Sequence, residues 1–297
     1  MSETRVEDYI QSTGDQVHRY LSGLFPPDAD RRPERLFEAM NYSLLGNGKR
    51  LRPVLCIAAA ETFGVPRDVV MPAAAALELI HCYSLIHDDL PILDNDDLRR
   101  GRPTNHKVYG DATALLAGDG LLTYAFELLA QPLPVAPEVQ LRMIRTLANA
   151  AGVFGMVGGQ QADVLAERTE GSVELLQFIH THKTAKLIQA SVVIGSLFAP
   201  LSAAEQAAVS LYGEAVGVAF QMVDDWLDVA GEQEQLGKPV GSDERLEKLT
   251  YPRLVGLDET LRMAEEKLAE AKRALTDADV HAPLLFGIGE FIVHRNK

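Results

Sequence analysis

The sequence predicts an all-α fold. Apolar residues recur at the helical period in almost every segment, and none shows the strict alternation of a strand. Hydrophobic residues make up 47% of the 297-residue chain but aromatic residues only 6%, so the core has to be built from Ala, Leu, Val and Ile, which suits packed helices. Prolines and glycines punctuate the chain without forming a linker that would divide it. Residues 1–297 are therefore read as one domain.

Val6, Ile10, Val17, Leu21 and Leu24 form the stripe of a first helix, which Pro26-Pro27 stops. A second helix follows Pro33, carries Leu36, Phe37, Met40 and Leu44, and ends at Gly46-Asn47-Gly48, where the glycines permit a tight exit. Lys49 and Arg52 project from that loop, as they also would from an ordinary basic helix end. The Gly46–Lys49 tetrad lacks the spacing of a P-loop. A third helix runs from about Arg52 to Phe63, and a fourth from Arg67 to Asp89 with Pro72 in its first turn. His81 stands seven residues before Asp88 on the fourth, two turns or ~10 Å away on the same side. A histidine on such a face serves equally well as a satisfied core residue.

Leu90-Pro91 ends that helix, so Asp94 has to return to it by a loop. Asp111 is read as the cap of a helix to about Ala130, and Pro132, Pro134 and Pro137 shape the turn after it. A long helix from Pro137 to about Glu167 is interrupted at Gly155 and Gly158-Gly159. Glycine costs roughly 1 kcal/mol against alanine inside a helix, so these mark a close approach or a kink. Ser172 opens a helix to Phe198 that carries His180, His182, Lys183, Thr184 and Lys186. Ser202 to Glu205 reads as a capping box for a helix to about Val229. A polar loop from Gly231 to Thr250 holds Lys238 and Lys248, and two or three further helices lead to the basic end Arg295-Asn296-Lys297.

Two runs of acids stand out. His87-Asp88-Asp89-Leu90-Pro91-Ile92-Leu93-Asp94-Asn95-Asp96-Asp97 is followed at once by Leu98-Arg99-Arg100-Gly101, and Gln221-Met222-Val223-Asp224-Asp225-Trp226-Leu227-Asp228 closes an apolar helix. Carboxylates so crowded repel one another unless a cation sits among them. Hard oxygen donors in this number suit Mg²⁺, which takes a few carboxylates together with waters and substrate phosphates. Arginines beside them suit forked hydrogen bonds to a phosphate-bearing ligand. One such run is also what a solvated helix end looks like; two in one chain favour a metal–phosphate site. Gln221, Asp225 and Asp228 recur at i, i+4 and i+7 with Asp224 close to that line, so the set is expected on one helix face.

Composition excludes other classes. A net charge of −14 argues against nucleic acid or an anionic membrane surface as a partner, and it makes the basic groups Lys49/Arg50/Arg52 and Arg99/Arg100/Arg102 more informative. Cys56 and Cys82 lie in apolar helical context and read as buried thiols. The start Met1-Ser2-Glu3-Thr4-Arg5 does not read as a signal peptide, and no uncharged apolar run reaches the ~20 residues of a membrane span. A soluble, cytoplasmic protein without membrane or nucleic-acid partners is expected.

Taken together, Gly48-Lys49-Arg50-Leu51-Arg52-Pro53, the run from Asp88 to Gly101, His182-Lys183-Thr184, Gln221 to Asp228, Gly237-Lys238 and Lys248 to Pro252 resemble the trans-polyprenyl diphosphate synthases. They follow the family's order over some two hundred residues, and the six-residue step from Asp88 to Asp94 is similar to the bacterial farnesyl diphosphate synthases. The resemblance implies an isoprenoid-synthase-type helical bundle around a deep central cavity, with the two acid clusters facing each other at its mouth. It implies head-to-tail condensation of isopentenyl diphosphate with dimethylallyl and geranyl diphosphate to give farnesyl diphosphate, and a homodimer. It further implies Mg²⁺, three ions per site with Mn²⁺ able to substitute, on Asp88, Asp89, Asp94, Asp224, Asp225 and Asp228. Arg99, Lys183, Thr184, Gln221, Lys238 and Lys248 would hold the allylic diphosphate, and Lys49, Arg52, His81 and Arg100 the isopentenyl diphosphate. Leu249 stands where the family often has Ser or Thr, which weakens the assignment of Lys248. Tyr83, an aromatic residue five places before Asp88, with Ser84 beside it, would limit the product to fifteen carbons; spacing alone allows a core tyrosine. No protein base is implied, because in the family the released diphosphate is thought to take the proton.

Three readings compete. A prenyl diphosphate synthase, farnesyl, geranylgeranyl or geranyl, needs two basic sets, and both are present. A terpene cyclase would carry a mixed Asn/Ser/Glu triad in place of the second acid run. A non-catalytic partner subunit would have lost one run.

Overall fold

The computed structural model describes residues 3–26, 33–166, 171–230 and 248–294. Fourteen α-helices account for most of them: α1 (Glu3–Ser22), α2 (Glu34–Leu44), α3 (Leu51–Thr62), α4 (Arg67–Asp88), α5 (Asn105–Tyr109), α6 (Asp111–Ala130), α7 (Pro137–Ala151), α8 (Met156–Ala166), α9 (Val173–His180), α10 (Lys186–Ser196), α11 (Ala203–Ala230), α12 (Tyr251–Val255), α13 (Leu257–Asp277) and α14 (Pro283–His294). Lys238 and the terminal Arg295-Asn296-Lys297 lie outside the described residues.

Helices α3 and α10 lie between two apolar clusters. α3 gives Cys56, Ile57 and Ala60 to the cluster built on α2, α4, α6 and α7. Its other side gives Val54, Leu55, Ala58 and Ala59 to the cluster built on α11, α13 and α14. α10 divides in the same way, with Leu187, Ala190 and Ile194 on one side and Ile188 and Val192 on the other. A helix buried on both sides has to be apolar nearly all round, as these are. Each fully buried Leu, Ile or Val contributes about 1.5–3 kcal/mol. Small residues let the axes approach: a Cβ on Gly195 of α10 would fall inside the carbonyl oxygen of Cys56 on α3. The partner there is backbone and cannot swing away. Gly195→Ala is therefore expected to destabilise the fold by about 1–3 kcal/mol, read in urea unfolding; an unchanged midpoint would show that the α3–α10 contact has slack.

Most helix boundaries fall where the sequence puts them, and the capping box is reciprocal. Ser202 N donates to Glu205 Oε2 at 2.7 Å and Glu205 N donates to Ser202 Oγ at 3.2 Å. Four local expectations are corrected. The tight entry to α3 uses Arg50, at φ 52°, and neither Gly46 nor Gly48 has positive φ. Gly110, at φ 85°, is the N-cap of α6, with Asp111 inside the helix. The 137–167 helix is two, parted at residues 152–155. The 172–198 helix contains a π-helical turn, Thr181–Ala185, a type of bulge that often marks a functional site.

The described residues also include one strand pair that no periodicity could reveal. β1 (Leu98–Arg99) and β2 (Arg102–Pro103) form a two-residue antiparallel ribbon. The helices α4 and α6 reach the length and hydropathy of a membrane span, yet most of α4 is buried within the protein.

Candidate active site

The site is assembled where α4 ends. Asp94 N donates to the carbonyl oxygen of Asp88 at 2.9 Å, so the loop after Leu90-Pro91 folds back onto the helix end it left. This closure explains why six residues separate the two acids. Burial raises the Asp88 carboxyl above the usual carboxylate range; Asp94 adds to that, while Lys183 opposes it. Lys248 Nζ donates to Asp94 Oδ2 at 3.0 Å. Leu249, the departure from the expected pattern, instead packs at Gly171, where a Cβ would meet its methyl carbons.

The ribbon sends two neighbouring arginines to different places. Arg100 and Gly101 form its loop with φ 53° and 74°, the positive pair that a tight two-residue hairpin turn requires. Before the turn, Arg99 Nε donates to Asp89 Oδ1 at 2.7 Å and Nη2 approaches Asp96 Oδ2 at 3.5 Å. Burial nevertheless holds the Asp89 carboxyl up at about 6. On the turn, Arg100 Nη1 donates to the carbonyl of Asn47 at 2.5 Å, and a Cβ on Gly48 would fall on its guanidinium. A side chain at Gly48 would thus displace the Arg100 guanidinium. Arg102 stays over the ring of Tyr42, 4.3 Å from its centroid. A cavity of about 60 Å³ is lined by Asp89, Arg99, Arg100, Cys82, Leu85 and Ile86 among others.

Lys183 projects from the π turn. Its Nζ donates to Asp163 Oδ2 of α8 at 2.5 Å. Burial works against its charge, but Asp88, Asp163 and Asp94 outweigh burial and hold it above the ordinary lysine value. Lys183 thereby stands among the first cluster's carboxylates. Beside it, Thr184 Oγ1 donates to Gln221 Oε1 at 3.0 Å, and Gln221 Nε2 donates to Asp225 Oδ1 at 3.1 Å.

The acids of the second run share a face of α11 but differ in exposure. Asp225 is 2% exposed and Asp228 1% exposed, whereas Asp224 is only partly buried. Asp225 Oδ2 accepts the backbone N–H of Tyr251 at 3.0 Å and lies 3.6 Å from Nε2 of His180, which burial holds neutral with a pKa of about 3. Through the Tyr251 contact the Asp225 carboxylate joins α11 to the start of α12. Helical spacing could not show this, because its partner Tyr251 N lies 26 residues away.

A separate basic group gathers behind the ribbon. Arg52 is half-buried, its buried Nε has no hydrogen-bond partner, and desolvation lowers its pKa to about 10. Glu78 and Asp224 pull that value upward, which puts Arg52 within electrostatic reach of the second acid run. His81 is held well below its usual value by burial and by Arg52, Arg100, Arg99 and Arg50, so it is neutral. Lys49 Nζ lies 5.1 Å from the ring centroid of Phe291. Tyr83 is buried, with its ring edge-on to His87 at 5.7 Å. His87 Nε2 in turn lies 3.0 Å from the carbonyl of Leu115 on α6. Ser84 Oγ donates to the carbonyl of His81 at 2.9 Å.

This is chemistry for anions. It separates a carboxylate-rich group, interleaved with lysines, from an arginine-rich group with an unpaired buried donor. The polyprenyl synthetase family matches residues 33–282. The chain belongs to that family. A farnesyl diphosphate synthase of Geobacillus stearothermophilus is 44% identical over the full length of both chains. Geranylgeranyl pyrophosphate synthase 7 of Arabidopsis thaliana is 47% identical over 90% of this chain and 78% of that one. A geranyltransferase structure from Helicobacter pylori, complexed with magnesium and isoprenyl diphosphate, superposes with a TM-score of 0.84 at 31% identity, covering 98% of this chain and 97% of that one. The protein is a trans-prenyltransferase of the isoprenyl synthase fold, and the names of its relatives span two product lengths.

Within this polyprenyl synthetase, no three His, Cys, Asp or Glu side chains form a ready-made metal cage among the described residues. The donor chemistry still fits Mg²⁺, an ion that keeps waters and substrate phosphates in its shell and rarely sits in an all-protein cage. Burial, with a smaller contribution from Asp94, disfavours the charged form of the Asp88 carboxyl, and a divalent ion would favour it. Sequence reasoning gave no role to Glu78 or His180 and took Arg50 only as one of a basic group. Asp163 closes the stretch from Gly159 that resembles the family's cavity lining.

Proposed function

We propose that this synthase condenses isopentenyl diphosphate with dimethylallyl and then geranyl diphosphate and stops at farnesyl diphosphate. The observation that carries the length is Tyr83, buried on α4 below Asp88 with its ring against His87, itself seated on α6. A packed interior does not yield to another five-carbon unit.

Asp88, Asp94 and Asp224 are the residues we assign to Mg²⁺, with Asp89 steadied by Arg99, and Asp225 and Asp228 supporting the helix. The number of ions and the use of Mn²⁺ belong to the same proposal. Bound there, Mg²⁺ supplies positive charge to the departing diphosphate. Lys183, Lys248 and Arg99 hold the allylic diphosphate, as would Lys238, and Thr184 and Gln221 fix the turn that carries Lys183. Arg52, Arg100, neutral His81 and Lys49 hold the isopentenyl diphosphate, which stays intact while its double bond attacks the allylic carbon. The proton then lost goes to the released diphosphate. Preorganised cations and exclusion of water supply the catalysis, and no protein nucleophile is required.

We further propose a cytoplasmic homodimer, supported by the exposed apolar residues Leu115 and Leu116 on α6, Val153 and Phe154 in the turn before α8, and Val157 in its first turn. Incubating the protein with Mg²⁺, isopentenyl diphosphate and each allylic primer, then sizing the products, tests the main reading. Wild type should give mainly fifteen carbons and Tyr83→Ala a shift towards twenty, with the first condensation kept. A wild type that makes mainly twenty carbons would overturn the length assignment. A Tyr83→Ala variant that still stops at fifteen would move the cavity floor to another residue.

A further inference from the structure

Arg50 lies between Lys49 and Arg52 in sequence but serves a different end. Its guanidinium is turned into the protein, where Nη1 donates to Glu78 Oε1 at 2.9 Å and both side chains are only 4% exposed. Nη2 donates to the carbonyl of Gly46 at 2.6 Å and lies 3.4 Å from Nδ1 of His18 on α1. The backbone of Arg50 is left-handed, at φ 52° and ψ 38°, a conformation that arginine adopts only when its surroundings enforce it. Glu78 is equally unexpected where it stands. It interrupts the fully buried run Leu77, Leu79 and Ile80 in the middle of α4, where an acid persists only if paired.

We infer that the Arg50–Glu78 pair positions the isopentenyl-diphosphate site without touching that ligand; the inference rests on the function proposed above. The pair fixes the loop between α2 and α3 to α4 at one point. From that point His81 is one turn further along the same helix, and Arg52 opens α3 two residues after Arg50. Glu78 also acts on Arg52 and Arg100, favouring their charged forms against burial. One buried carboxylate therefore holds together a group of arginines that would otherwise push apart.

The charge of Glu78 makes the test discriminating. If it acted only through its field, Glu78→Gln would remove an anion beside the diphosphate and tighten isopentenyl diphosphate. If it positions the loop, the same variant weakens it. We expect KM for isopentenyl diphosphate to rise about tenfold or more, because displacements near 1 Å are costly, with KM for geranyl diphosphate within about threefold of wild type. Glu78→Gln leaves Arg50 buried with a neutral partner, which can unfold the chain. The double variant Arg50→Met/Glu78→Met removes both charges of the pair together and should fold while showing the same selective rise. A folded variant whose KM for isopentenyl diphosphate is unchanged or lower overturns the inference, as does an equal rise for both substrates. Wild-type protein that consumes no isopentenyl diphosphate overturns the proposed function itself, and is measured first.

Discussion

Asp88→Ala lowers turnover by at least about 10²-fold, some 2.7 kcal/mol of barrier, while the protein stays folded. The contact that returns Asp94 to the helix end uses the backbone carbonyl of residue 88, so it survives the substitution. What disappears is a carboxylate that burial and Asp94 already disfavour, and its loss costs the fold little. Asp224→Ala should match it in turnover, since Asp224 is the partly buried acid of the second run. Asp225→Ala should differ in kind. It strips the acceptor from Tyr251 N and from Gln221, so its first effect is a lowered melting temperature. Steady-state rates with saturating Mg²⁺, repeated in EDTA, provide the check. Full activity in EDTA, or in Asp88→Ala, would remove the metal from the mechanism.

The contrast between Asp224 and Asp225 shows what could be read in advance. Helical period and capping chemistry are local, so α1 to α4, the Ser202–Glu205 box and the approximate reach of α11 were legible. The two acid runs were legible as well, because crowded carboxylates have few bland explanations. Direction was not. On a helix buried on several sides, the face that meets a cavity is set by neighbours distant in sequence, and Asp225 turns to Tyr251 for that reason. The ribbon was invisible because two residues per strand carry no periodicity. Its consequence, the parting of Arg99 from Arg100, depends on two positive φ angles that only the fold displays. Arg50 and Glu78 escaped because a buried ion pair looks, in sequence, like one more charge in a basic loop and one flaw in an apolar stripe. Lys248 shows the same limit. The irregular Leu249 beside it gives no hint that its ammonium reaches Asp94, 154 residues away in sequence.

Gly159→Ala should cost turnover about as much as losing a metal ligand, although residue 159 touches no substrate. A methyl group there would fall on the backbone nitrogen of Lys183, 2.6 Å from its Cα and 2.7 Å from the carbonyl carbon of His182. All three are main-chain atoms of the π turn, so relief requires moving the turn itself. That turn aims Lys183, and its anchor Asp163 lies one helical turn beyond Gly159 on the same side of α8. Pushing the turn away from α8 therefore stretches the Lys183–Asp163 contact and withdraws the ammonium from Asp88. A misplacement near 1 Å can cost about 10²-fold, and this is the loss expected in kcat. Propensity points the other way, since alanine is favoured over glycine by roughly 1 kcal/mol inside a helix. The sign of the result thus decides between the two effects. If Gly159→Ala is as active as wild type and melts higher, the π turn is free to shift and the glycine is not there for close approach. If turnover collapses to the level of Lys183→Ala while unfolding remains cooperative, the backbone contact between α8 and the π turn sets the position of the charge.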